Sequence, residues 1–102
     1  MQTPPTELDG AKVLCYVLLK KEHRATGNTR HYREGRLVQG LSALAICRYE
    51  NESGFYLFYC DNKWDVVTDT HHDTLGRAKD QAEFEYKGIS DAWTQTSSNA
   101  AP

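Results

Sequence analysis

The chain has 102 residues, 39 % of them apolar, with 2 Trp, 6 Tyr, 3 Phe and a formal charge of −2. That is one ordinary domain, and the composition excludes a disordered chain. No apolar run approaches the roughly 18 residues of a membrane helix, and MQTPPTELDG lacks a basic segment followed by an apolar one, so neither a span nor a signal peptide is expected.

A domain of this size buries only about two-thirds of its unfolded surface, enough for one sheet covered on a face. The small net charge conceals an asymmetry: residues 1–49 carry +4 and residues 50–102 carry −6. A basic and an acidic region are expected unless the fold interleaves them. Cys15, Cys47 and Cys60 are an odd number without metal-type spacing. Each sits in an apolar run, where a free thiol behaves as a small hydrophobe. The expectation is a reducing, cytoplasmic setting.

Residues 1–10 carry Pro4, Pro5 and Gly10 without periodicity and read as a flexible arm. Lys12–Lys20 (KVLCYVLLK) reads as a central strand. Simple alternation puts Val13, Cys15, Val17 and Leu19 on one face and Leu14, Tyr16 and Leu18 on the other. Residues 21–40 are polar, with Gly27-Asn28 as a turn signal and room for a short strand at Arg36–Val38. A structureless loop of that length is unusual in so small a domain.

Leu41–Tyr49 has helix-like composition, but Ile46, Cys47 and Tyr49 before a turn favour a strand. Phe55–Cys60 (FYLFYC) is strand, and Asp61-Asn62-Lys63 makes a tight loop into a strand over Trp64–Thr70. Alternation there groups Trp64, Val66, Thr68 and Thr70 against Asp65, Val67 and Asp69. The spacing of Leu75, Ala78, Ala82 and Tyr86 predicts a helix over Leu75–Lys87, with Asp73 or Thr74 as N-cap and Gly88 as C′. Phe84, off the stripe, is expected to pack on Ile89. Residues 94–102 read as a disordered tail. The fold class is therefore α+β: one domain over residues 11–93, with a three- to four-stranded, mainly antiparallel sheet and one C-terminal helix on a face.

Four features carry candidate chemistry. Asp69, His71, His72 and Asp73 crowd five positions, but extended chain sends the two imidazoles to opposite faces, so they do not converge on one metal. Helix capping accounts for the residue types at Asp73-Thr74, while a chemical role for His71 or His72 stays open. Neither metal nor cofactor is expected. Lys20, Lys21, Arg24, Arg30, Arg33 and Arg36 are half of the Lys and Arg, with Tyr32 among them, and suit phosphate contacts. Yet Glu22 and Glu34 dilute this segment, and the pI of 6.0 lies far below that of a typical nucleic-acid reader. Asp65, Asp69, Asp80 and Glu83 supply an acidic surface suited to a basic protein partner. Finally, FYLFYC is apolar on both faces. One helix covers one side; the other must meet the chain's own loop or arms, a second copy, or a partner.

No nucleophile elbow, phosphate loop or dinucleotide motif occurs, and the reading leans away from an enzyme. The stretch GFYLFYCDNKWDVVTDTHHDTLGRAKDQAEFEYKGI resembles small uncharacterised bacterial proteins with a Tyr-rich strand, a Trp hairpin and a helix ending in EFEY. The resemblance implies a partner protein of immunity or antitoxin type, and transfers no functional residues. The expectation is a non-enzymatic domain that binds a protein through Asp65, Asp69, Asp80 and Glu83. The alternative is a nucleic-acid or phosphate-ligand binder using Arg24, Arg30, Arg33 and Arg36.

Overall fold

A computed structural model describes residues 1–96. The elements in chain order are β1 (Glu7–Leu8), β2 (Ala11–Leu18), β3 (Tyr32–Arg33), β4 (Arg36–Leu37), β5 (Ala43–Arg48), β6 (Phe55–Cys60), β7 (Val66–His72), α1 (Leu75–Glu85) and β8 (Thr94–Gln95). The α+β class holds, but the sheet is larger than the expected three or four strands. It runs β1-β2-β5-β6-β7 with β8 also on β2, every pairing antiparallel; β3 and β4 form a separate hairpin.

The added strands lie in the segments read as loose. Glu7 and Leu8 pair with Lys12 and Ala11, and Thr94 and Gln95 pair with Tyr16 and Cys15. Both occupy the outer side of β2, which as a long apolar strand offers a row of unpaired backbone groups. Of the tail expected from residue 94, residues 97–102 lie outside the described part.

Two β-bulges correct the simple alternation. Val13 pairs with Cys47 and Cys15 with Ile46, so Leu14 is an extra residue in β2. Val13 thus joins Tyr16 and Leu18 on one side, while Cys15 and Val17 take the other. Likewise Cys60 pairs with Val66 and Tyr59 with Thr68, leaving Val67 extra in β7. Trp64 and Val66 therefore part from Thr68 and Thr70, with which alternation had grouped them. A bulge inserts one residue and re-aims all that follow, so strict period-two reading fails on its far side.

The helix covers one face. Ala78 and Ala82 are fully buried against Val17, Leu44, Ile46 and Leu57, their short side chains letting the helix approach. Thr74 is the N-cap: its backbone is extended and its Oγ1 accepts the Arg77 N–H at 3.0 Å. The opposite face carries small residues, Ala11, Ala43 and Ala45, with Trp64 laid over them. Trp64 meets Tyr16 edge-on at 5.8 Å and donates its Nε1–H to the Gln2 carbonyl at 2.9 Å. The N-terminal arm and the hairpin Trp thus cover the second apolar face.

The helix ends differently from the expectation. Its C-cap is Tyr86, in extended conformation, and Gly88 (φ +74°) lies two residues on, in the following turn. Ile89 is fully buried in the cluster with Ala78 and Ala82, whereas Phe84, expected to pack on it, is 52 % exposed. The long loop closes this end instead. Thr26 Oγ1 and Asn28 Nδ2 donate to the Phe84 carbonyl at 2.6 and 2.9 Å, the Thr26 N–H to the Glu85 carbonyl at 2.8 Å, and the Lys87 N–H to the Arg24 carbonyl at 2.8 Å. The last carbonyls of a helix need outside donors, and Thr26 and Asn28 supply them.

Candidate functional site

Glu85 is the one charged residue buried among the described residues, at 5 % exposure. It sits where the last turn of α1, the sheet and the long loop meet. A buried carboxylate is costly unless hydrogen-bonded and paired, and this one has three donors. His31 Nε2 lies 2.6 Å from Oε1, Gln81 Nε2 donates to Oε2 at 2.8 Å, and the Tyr59 hydroxyl also donates to Oε2. The His31 ring packs against that of Tyr59 at a tilt of 47°, with centroids 4.4 Å apart. Beyond Tyr59 the chain of polar contacts continues through Thr70 Oγ1 at 3.4 Å to His72 Nε2, 2.7 Å further on.

Burial first, and then the hydrogen bond to Glu85, push the Tyr59 phenol far above its ordinary range, so it stays protonated and donates. Burial, followed by the neighbouring His71, holds His72 below its ordinary value. Glu85, His31, Thr29, Arg30 and Tyr86 also line a cavity of about 350 Å³ between the loop and the helix end. The cluster contains an acid–imidazole pair whose carboxylate is already served by three donors. Its evident work is to fix the loop against the helix.

The fixed elements carry exposed apolar surface. In the β3–β4 hairpin Tyr32 is directly opposite Leu37, and these residues are 60 % and 43 % exposed. Its two-residue turn, Glu34-Gly35, has positive φ at both positions (54° and 78°), the geometry that matches strand twist. Phe84 is the third such residue; among the described residues the only other exposed large apolar side chain is Met1.

The acids named from the sequence are divided. Asp69 pairs with Phe58, so it lies on the face away from the helix. Asp65 is in the β6–β7 hairpin, its N–H bonded to Asp61 Oδ1 at 3.0 Å. Asp80 and Glu83 are exposed on α1, on the other side of the sheet. The four do not make one surface, because Asp69 faces away from the helix while Asp80 and Glu83 stand on it. Arg24, Arg30, Arg33 and Arg36 are all exposed; Arg33 and Arg36 face each other across the hairpin, and none has an ion pair among the described residues.

His71 and His72 do point to opposite faces. His71 is exposed and packs edge-on against Tyr56 at 4.9 Å, in a place kept open by Gly54, where a Cβ would run into the imidazole. His72 turns toward the helix side and joins the cluster. Among the described residues no group of three or more His, Cys, Asp or Glu is placed to hold a metal ion. Cys15, Cys47 and Cys60 are buried free thiols.

The cluster around Glu85 went unnoticed in the sequence, although a signal existed. Glu85 stands three residues after Ala82 and seven after Ala78, on the buried stripe itself. No family model matches the chain, no curated protein matches it, and no solved structure matches it.

Proposed function

We propose that the chain is a non-enzymatic protein-binding domain of the immunity or antitoxin type, acting in a reducing compartment, whose docking surface is the β3–β4 hairpin together with the outer face of α1. One observation carries this reading. Of four exposed large apolar side chains among the described residues, three (Tyr32, Leu37 and Phe84) stand on the two elements that Glu85 and residues 24–28 tie together. Rigidly held aromatics are the usual anchors of protein interfaces, and flanking charges steer the encounter. Asp80 and Glu83 supply the acidic flank; Asp65 and Asp69 fall outside it. In a cross-linking pull-down from the source cells, the native chain retains a partner that Phe84→Ala and Tyr32→Ala each weaken by about 30-fold, the effect of truncating a hot spot. Retention of the same partner equally by native chain and both variants refutes the reading, as does its loss on Asp69→Lys alone.

A second reading has its own observation. Arg33 opposite Arg36 is a like-charge pair that a sheet disfavours unless an anion offsets it. Affinity for RNA or DNA that falls steeply with salt, and that Arg33→Glu abolishes, would support phosphate binding by Arg24, Arg30, Arg33 and Arg36 in place of protein docking.

A further inference from the structure

The two edges of the sheet are treated differently. On one, the short strands β1 and β8 cover the outer side of β2. On the other, β7 pairs only with β6 among the described residues, so the outer side of a seven-residue strand makes no ladder, with β3 of the hairpin lying near it. Open edges are usually blunted by Pro, Lys or a covering segment. Val66–His72 contains neither Pro nor Lys.

Two exposed side chains on this strand have unused bonding capacity. Asp69 and His71 stand two residues apart on the same face, opposite Phe58 and Tyr56 of β6. Neither has a side-chain hydrogen bond or ion pair among the described residues. His71 is also held in orientation by Tyr56 and by the space above Gly54.

We propose that β7 pairs antiparallel with β7 of a second copy, the two-fold axis passing through Thr70. This register sets Asp69 opposite the second copy's His71, and His71 opposite its Asp69, so two complementary pairs form per dimer. Thr70 meets Thr70 at the axis, and Thr68 faces His72 on the helix side. Among registers that keep both helices on one side of the joint sheet, centring on Asp69 places two carboxylates face to face. Centring on His71 places two imidazoles together and Asp69 against Asp73. Of these three, the Thr70 register alone sets each Asp69 carboxylate opposite an imidazole, an acceptor facing a hydrogen-bond donor, whereas the other two set like groups together, which disfavours a ladder. A ladder over Thr68–His72 is a small interface, suited to a weak and reversible dimer. Pairing the edges also removes both from solution.

Sedimentation velocity of the full chain over a wide concentration series tests this. The native chain shows a monomer–dimer equilibrium. Asp69→Lys sets a cation opposite His71 at both pairs and weakens the dimer on the order of tenfold or more. The exchange Asp69→His with His71→Asp restores it. Thr70→Cys gives a disulfide-linked dimer on mild oxidation, a product the native chain cannot give through its buried Cys15, Cys47 and Cys60. A native chain that is monomeric at every concentration overturns the proposal. So does a dimer indifferent to Asp69→Lys, or one that Thr70→Cys does not cross-link.

Discussion

At the scale of single residues, Glu85 has the most to lose. Replacing it with Ala strands the Tyr59 hydroxyl, the His31 ring and the Gln81 amide at a largely buried site beside the loop cavity. Removing one partner of a buried charged cluster costs about 3 kcal/mol, because the remaining polar groups keep their desolvation cost. Glu85→Ala is therefore expected to lower urea stability by about that amount, and Glu85→Gln by less, since the amide oxygen still accepts. The same variant should expose residues 24–41 to protease. An unchanged cleavage pattern would show that backbone bonds to Phe84 and Glu85 alone hold the loop. Sequence reading passed over Glu85 because charged residues are almost never buried without partners. Those partners, His31 and Tyr59, are 54 and 26 residues away along the chain.

The secondary-structure elements separate into those with their own pattern and those that borrow one. β6 and α1 were legible because six consecutive β-prone apolar residues bounded by turns mark a strand and an i, i+3, i+7 stripe declares a helical period. The start of α1 was legible to within one residue. Thr74, not Asp73, accepts the Arg77 N–H, so Thr74→Ala should cost about 1 kcal/mol in thermal or urea unfolding while Asp73→Ala costs a few tenths. Equal losses at both positions would contradict this assignment. By contrast β1 and β8 are two residues each, too short for any period, and exist because the edge of β2 completes their hydrogen bonds. The bulges at Leu14 and Val67 were invisible for a related reason: an extra residue is defined only against the partner strand.

For the molecule as a whole, the two-sided core ties stability to protons. Burial pushes Cys15 up to about 11, and Cys60 and Tyr86 up to about 12, from ordinary values near 9 for the thiols and 10 for the phenol. The folded chain then holds protons that the unfolded chain releases, so this contribution is complete below the ordinary values and is lost as pH rises through the folded ones. The urea midpoint should hold steady at neutral pH and fall from about pH 9 toward pH 12, along the interval between those two sets of values. Thiol labelling of the native chain at neutral pH should proceed only at the rate of opening. Fast labelling of one cysteine would show that its face of the sheet is not closed. What the sequence determined by itself was local: the α+β class, the long strands, a hairpin turning after Cys60 (though its loop runs to Asp65 and takes in Trp64), the helix and its cap, since each rests on near-neighbour pattern and turn chemistry. Tertiary structure alone decided which side of each bulge faces the helix, what covers the second apolar face, the division of the acids between opposite layers, and the meeting of His31, Tyr59 and Glu85. Those features arise from contacts between residues far apart in the chain, which one-dimensional spacing does not encode.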